Sequence, residues 1–93
     1  MFWFSPLFAI AATVIAIGII AVYHVITHQD VRDAVESIAV DDAFKYKIQQ
    51  AKKNAVDVGI FNSNNELIDN FEIQSDDGVS EEVRASVNQV YYI

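Results

Sequence analysis

The distribution of charge constrains this 93-residue chain more than any other feature of its sequence. All 13 acidic and 6 basic residues lie from Asp30 onward, so the first 29 residues contain no Asp, Glu, Lys or Arg. The rest of the chain carries the whole formal net charge of −7 and is long enough for one small, marginally stable domain. This size excludes a large enzyme with an interior active site and an array of repeats.

The uncharged segment is apolar and long enough to predict a transmembrane helix. From Phe4 to Ile26 there are 23 positions. A helix that rises about 1.5 Å per residue needs roughly 20 of them to cross a hydrocarbon layer of about 30 Å. The segment has neither the basic region nor the small-residue cleavage site of a secretory signal peptide. We therefore expect residues 1–28 to form an uncleaved, single-pass membrane anchor.

Two sets of residues would serve such a helix. Amphipathic rings favour the headgroup layer, and the predicted interface anchors are Trp3, Tyr23 and His24. Small residues let membrane helices approach closely, and the predicted helix-packing face is Ala9, Ala12, Ala16 and Gly18. The sequence is compatible with either orientation of the predicted anchor in the membrane. A strict count of nearby cations favours a cytoplasmic C-terminal domain, but a small acidic domain translocates readily, so we expect this domain outside the cytoplasm.

Helical spacing of the apolar residues continues beyond the span. A first set at i, i+3, i+4 and i+7 comprises Val31, Ala34, Val35 and Ile38. A second set, out of phase with the first, comprises Phe44, Ile48, Ala51 and Ala55. Asp41 and Asp42 stand at the join, where either can cap a new helix. We predict a juxtamembrane amphipathic helix over residues 29–55 with a break at 40–42.

The last part of the chain predicts a small head over residues 56–93. Apolar and polar residues alternate in 56–61 and 67–73 around a turn-forming stretch rich in asparagine, which is typical of a β-hairpin. Ser80, followed by two glutamates, predicts the start of a short helix. The predicted fold class is therefore α+β, with a single N-terminal transmembrane helix continuing into an amphipathic helix, then a β-hairpin and a short C-terminal helix.

The sequence lacks the residue combinations that most enzymes require. It has no cysteine, no histidine beyond residue 28 and no glycine-rich phosphate loop, so we predict no catalytic residue, no cofactor and no metal ligand. His24 and His28 nevertheless have the i, i+4 spacing of paired haem or metal ligands on a helix. A basic stripe comprises Lys45, Lys47, Lys52 and Lys53. It suits an anionic lipid surface, although a solvated face is the simpler interpretation.

Two families resemble the chain in layout. An apolar N-terminal helix that runs into an amphipathic helix and a small β element resembles type IV pilins and pseudopilins, and this resemblance implies a filament subunit. Those families carry a glutamate at the fifth position of the mature chain, where this sequence has Ser5. The stretch from Phe44 to Tyr92 is similar in layout to the periplasmic C-terminal domains of TonB and TolA, in which a helix precedes a hairpin, a loop and a closing helix.

These observations together predict a non-enzymatic, single-pass membrane protein that acts through protein–protein interaction. We expect an accessory or structural subunit of an envelope membrane complex. Its expected partners are the lipid bilayer and other membrane or envelope proteins, or a second copy of the chain. Nucleic acid is not an expected partner, because a net charge of −7 repels phosphate. A pilin-like filament subunit, with the apolar helix in the filament core, and a haem- or metal-carrying membrane subunit using His24 and His28 are the alternatives.

Overall fold

Alternating apolar residues in three consecutive segments build most of the sheet in this protein. The computed structural model describes residues 18–39 and 41–93. In these residues the strands are β1 (Gly18–Ala21), β2 (Lys45–Ala51), β3 (Ala55–Phe61), β4 (Leu67–Gln74) and β5 (Val90–Tyr92). The helices are α1 (His28–Ile38) and α2 (Glu81–Ala85). The strand order is β1-β4-β3-β2-β5, with β1 parallel to β4 and the other neighbours antiparallel.

The predicted hairpin is present as β3 and β4, in which Val58 lies opposite Phe71. Its turn is stabilised by Asn62, whose side-chain oxygen accepts hydrogen bonds from the amides of Asn64 at 2.9 Å and Glu66 at 3.0 Å. Asn65 has a φ of 67°, a left-handed conformation that asparagine tolerates better than most residues. The asparagine-rich stretch therefore forms the turn that its composition predicts.

One face of the sheet carries the hydrophobic core. Because successive strand residues point to opposite faces, every second residue of the central strands is buried on this side. Its fully buried side chains are Tyr46, Ile48, Val56, Val58, Ile60, Phe71 and Ile73. The helices close the same core with Val31, Ala34 and Val35 of α1 and Val83 of α2. The apolar stripe of residues 31–38 that the sequence predicts is thus the face that α1 buries.

The predicted transmembrane helix is wrong for the residues that the structure describes. Gly18–Ala21 is a strand paired with β4, and Ile26 is fully buried in the core. Across 18–39 and 41–93, no helix combines the length and the apolarity needed to cross a membrane. The expected single-pass membrane localisation, with an extracytoplasmic C-terminal domain, is therefore not supported. Residues 1–17 of the predicted anchor lie outside the described residues.

The predicted juxtamembrane helix over 29–55 is also wrong, because a helix and a strand occupy that stretch. Thr27 and Asp30 form a capping box that starts α1: the Asp30 amide donates to the Thr27 hydroxyl at 3.3 Å, and the Asp30 carboxylate accepts from the Thr27 amide at 2.8 Å. α1 ends at Ile38, and β2 begins at Lys45. The continuous helix on which the pilin-like layout depended is absent from this stretch.

The predicted C-terminal helix is present but shorter than its apolar spacing indicates. Ser80 caps α2, with its side chain accepting from the Val83 amide, and the helix ends at Ala85. The residues that follow return to the sheet, where β5 pairs with β2. The fold is therefore a mixed five-stranded sheet with two short helices in the described residues, and this corrects the predicted fold class.

Candidate functional site

The face of the sheet opposite the core is not covered by either helix described here. Both α1 and α2 direct their buried residues into the core on the other side. The uncovered side, termed the open face, carries Asp57, Gly59 and Phe61 of β3 together with the residues opposite them on the neighbouring strands. A sheet face that stays uncovered normally carries polar residues, so its apolar residues need an explanation.

Apolar residues are concentrated at one end of the open face. Phe61 lies opposite Leu67 on one side and Lys45 on the other, while Tyr92 lies beyond Lys45 on β5. The lysine–aromatic patch is defined as Lys45, Lys47, Phe61, Leu67, Val90 and Tyr92. Leu67 is 47% exposed, Val90 46% and Tyr92 66%. The patch is flanked by Phe44, whose ring meets that of Tyr92 edge-on with centroids 5.5 Å apart.

The two lysines of the patch are positioned by neutral neighbours. The Lys47 ammonium lies 5.3 Å from the centre of the Phe61 ring, within range of a cation–π interaction. The Lys45 ammonium donates to the side-chain oxygen of Asn65 in the β3–β4 turn. Within residues 18–39 and 41–93, the lysine ion pairs all involve Lys52. Lys45 and Lys47 therefore have no carboxylate partner in the described part of this acidic chain.

A shallow pocket of about 200 Å³ lies at the centre of the patch. Its lining residues are Lys45, Tyr46, Lys47, Phe61, Asn65 and Val90. The lining thus combines the apolar residues Phe61 and Val90 with two lysines and an asparagine. Such a site can hold an apolar side chain next to a negatively charged group.

At the other end of the open face, a lysine is paired with carboxylates. Lys52 lies 3.7 Å from Asp57 and 3.8 Å from Glu72, so its charge is balanced by two carboxylates. Partial burial raises the pKa of Asp57; Lys52 opposes this rise and Glu72 adds to it. Among the described strand residues, the lysines without a carboxylate partner are therefore Lys45 and Lys47 of the lysine–aromatic patch.

A second cluster of chemically active side chains lies between α1 and the sheet. The His28 Nε2 atom is 3.1 Å from the hydroxyl of the buried Tyr46, and the His28 and Tyr91 rings meet edge-on with centroids 4.5 Å apart. Burial and the nearby Arg32 lower the pKa of His28, against an opposing effect of Glu82. These groups contact one another and join the start of α1 to β2 and β5, which accounts for them as structural residues.

Tyr46 stays protonated in this cluster. Burial raises the pKa of Tyr46, Arg32 opposes the rise, and Tyr91 and Glu36 add to it. The Tyr46 and Tyr91 rings are stacked with their centroids 5.4 Å apart. A neutral phenol beside an imidazole can hold a stable hydrogen bond across the interface between helix and sheet.

His24 and His28 do not share a helix face, as the haem- or metal-ligand alternative assumed. His24 lies in the loop before α1, and its Nε2 atom is 2.9 and 3.0 Å from the two oxygens of Asp30. Burial tends to raise the pKa of Asp30, but hydrogen bonds from the Thr27 amide, His24 and the Thr27 hydroxyl together hold it below its usual value. Among the residues described here, no group of three or more His, Asp or Glu side chains could bind a metal ion.

The other site residues predicted from the sequence fall in two places. Trp3, Ala9, Ala12 and Ala16 lie outside the described residues. Gly18 begins β1, and Tyr23 is exposed in the loop after it. The proposed helix-packing face and interface anchors are therefore not brought together in the part of the chain that is described.

Sequence reasoning missed the lysine–aromatic patch, although a signal for it exists. Lys45 and Lys47 were assigned to a helix with Lys52 and Lys53, whereas the structure divides the four lysines between two ends of the sheet. In the stretch from Lys45 to Ile48, charged and apolar residues alternate, and this is the period of a strand. That alternation could have placed both lysines on one face.

No protein-family model, no curated protein and no solved structure matches this chain.

Proposed function

We propose that this protein is a non-enzymatic binding module for another protein, with the lysine–aromatic patch as its docking surface. The observation that carries the proposal is the grouping, on the open face, of half-exposed apolar side chains with two lysines that have no carboxylate partner in the described residues. Clusters of this kind are typical of protein-binding sites, where apolar and aromatic residues supply most of the binding energy. The expectation of a subunit in a larger assembly is kept in this form, and the single-pass anchor, which the described residues do not support, is not part of the proposal.

Charge favours a partner that presents apolar side chains flanked by carboxylates. The chain has a net charge of −7, yet the patch itself carries Lys45 and Lys47 with no carboxylate within ion-pairing distance in the described residues. An acidic and apolar surface would compensate these charges and bury the rings at the same time. Complementary potentials of this kind contribute most to the selection of the partner and to the association rate.

A second copy of the chain fits this surface less well. In a two-fold symmetric dimer the same patch lies on both sides of the interface, so the lysines of one copy would face those of the other. A nucleic acid is disfavoured for a related reason, since two lysines on an acidic protein offer little compensation to a polyanion.

Site-specific photo-cross-linking tests the proposal in the cells that make the protein. A photoreactive phenylalanine analogue at Tyr92 should cross-link one protein, at a peptide that contains apolar and acidic residues. The same analogue at Ser37, which is exposed on α1, is the matched control and should not form this product. Reversal of the patch charge by Lys45→Glu and Lys47→Glu together should abolish the Tyr92 product while the far-ultraviolet circular dichroism is unchanged.

Four results would contradict the proposal. Cross-links from position 92 to residues 1–17 of the same chain would show that the chain covers its own patch. Cross-links to a second copy would assign the surface to self-association. Products that are the same from positions 92 and 37, or that survive the charge reversal, would show that the patch does not select a partner.

A further inference from the structure

We infer that the pocket between β2, β3 and β5 binds a single carboxylate-bearing side chain of the partner, with Lys45 and Lys47 as the specificity-determining residues. This inference rests on the proposed function and deepens it, because it assigns the acidic group of the partner to one pocket. The pocket is the part of the patch that both lysines line together with Asn65, Phe61 and Val90.

The positions of the two lysines allow both to reach one carboxylate. They are two residues apart on β2, and residues at this separation lie on the same face of a strand about 7 Å apart along it. Lys45 lies opposite Phe61, and both lysines line the same pocket. Two ammonium groups that approach from neighbouring positions can donate to the two oxygens of one carboxylate.

Both lysines are held in place before any ligand binds. The Lys47 ammonium lies over the ring of Phe61, and that of Lys45 donates to Asn65. Asn65 in turn occupies the left-handed position of a turn that Asn62 stabilises. Restricting long side chains in advance reduces the entropy lost on binding, so these contacts favour recognition of a charged group.

The pocket suits a side-chain carboxylate better than a phosphate group. Phe61 and Val90 give it apolar walls, which fit the methylene groups of an acidic side chain. A dianion would meet stronger repulsion from the surrounding acidic protein than a monoanion does. Asn65 also lines the pocket, and its side-chain NH2 group is a neutral donor that can add to the two ammonium groups.

The apolar residues beside the pocket define what should stand next to the carboxylate. Leu67 lies on the far side of Phe61, and Tyr92 lies on the far side of Lys45. A partner segment that places an acidic side chain in the pocket would therefore set its neighbouring side chains against these two residues. The recognised feature is an acidic residue flanked by apolar ones.

A pair of short peptides tests this assignment by nuclear magnetic resonance. The probes are acetyl-Phe-Glu-Leu-amide and its matched control, acetyl-Phe-Gln-Leu-amide, titrated separately into the ¹⁵N-labelled full chain. The Glu peptide should shift the amide signals of residues 45–47, 65 and 90 in a saturable manner. It should bind at least about threefold more tightly than the Gln peptide, which is the least that exposed ion pairs to the two lysines should contribute, and this preference should be lost at high salt. Lys45→Gln and Lys47→Gln together should remove the preference.

The outcomes separate this inference from the proposed function. Equal binding of the two peptides, no saturable shift with either, or tighter binding of inorganic phosphate than of the Glu peptide would each overturn the carboxylate pocket. A partner cross-linked from position 92 would then still support the docking surface. Conversely, selective binding of the Glu peptide without a cross-linked partner would support the pocket and contradict the proposed function.

Discussion

The amide of Ile26 donates a 2.9 Å hydrogen bond to the carbonyl of Gly78, and the Ser80 amide donates to the Ile26 carbonyl at 3.0 Å. These bonds form a short parallel bridge between Ile26 and Val79. The bridge joins the loop that follows β1 to the segment that precedes α2. Ile26, the last residue of the predicted membrane span, is thus part of the folded core through both its backbone and its buried side chain.

Ile26→Ala should destabilise the protein by about 2–5 kcal/mol, because it leaves a cavity in the core. Ile19→Ala is the matched control: Ile19 is 62% exposed, so the loss should stay within about 0.5 kcal/mol. Urea unfolding of the full chain measures both. If Ile26→Ala does not fold, Ile26→Val should still show a loss of about 0.5–1.5 kcal/mol. Equal effects at positions 19 and 26 would contradict the burial described here.

Gly78→Ala should reduce the free energy of unfolding by about 1–2 kcal/mol, because Gly78 has a φ of +92° and a Cβ is unfavourable in this region. Gly18→Ala provides the comparison, since an added Cβ at Gly18 would meet no atom within 4 Å. Thermal and urea unfolding of the two variants should therefore separate them clearly. A loss at Gly18 that equals or exceeds the loss at Gly78 would argue against this turn.

Thr27→Ala should cost about 1 kcal/mol, because it removes the side chain that caps the first turn of α1. Ser37→Ala, at an exposed position near the other end of the same helix, should change stability by less than about 0.5 kcal/mol. Equilibrium unfolding followed by circular dichroism gives both values. Indistinguishable variants would mean that α1 does not begin at the capping box.

Asp57→Asn should stabilise the protein at neutral pH. The pKa of Asp57 is raised above its ordinary value of 3.8, so the folded state binds a proton more readily than the unfolded chain. Protonated Asp57 therefore contributes stability that is fully present below pH 3.8. This contribution is lost as the pH rises from 3.8 through the pKa of Asp57 in the folded state. An Asn side chain does not ionise and avoids this loss. The free energy of unfolding of the variant should therefore rise above that of the wild type over this pH interval, and the difference should stay constant at higher pH. An advantage that grows on acidification would falsify the assignment.

His28 should make the protein less stable as the solution is acidified. Its pKa is lowered from the ordinary value of 6.5, so the unfolded chain takes up a proton first. Stability is therefore retained above pH 6.5. It falls as the pH drops from 6.5 through the pKa of His28 in the folded protein. His28→Gln should remove this part of the pH dependence, whatever its effect at pH 8. The ring signals of His28 should titrate with a midpoint below 6.5, and a higher midpoint would be inconsistent with the cluster.

Local chemistry was sufficient to predict some of the fold. The asparagine-rich turn, the alternation on both sides of it and the cap at Ser80 all act within a few residues, and the structure contains each of them. The stripe from Val31 to Ile38 also predicted the buried face of α1. Neighbouring residues alone determine these features, so they can be predicted without information about the rest of the chain.

The errors arose where distant parts of the chain decide the structure. A short apolar run such as Gly18–Ala21 is equally compatible with a strand and with a helix, and pairing with β4 selects the strand. Phe44, Ile48 and Ala51 have an apparent helical period, but the strands that neighbour β2 bury Tyr46 and Ile48 on one side. The candidate site was missed for the same reason, because the sheet determines which lysines lie beside Phe61.

The parallel pairing of β1 with β4 has a consequence for synthesis. Three elements separate these strands along the chain, so β1 leaves the ribosome long before its neighbour exists. The β3–β4 hairpin, whose contacts are local, can form before β1 joins the sheet. Until then an apolar strand is left exposed, as is typical of aggregation-prone intermediates. A ribosome paused ahead of Gln74 would hold such an intermediate, and a chaperone that binds short extended apolar segments would find its target there.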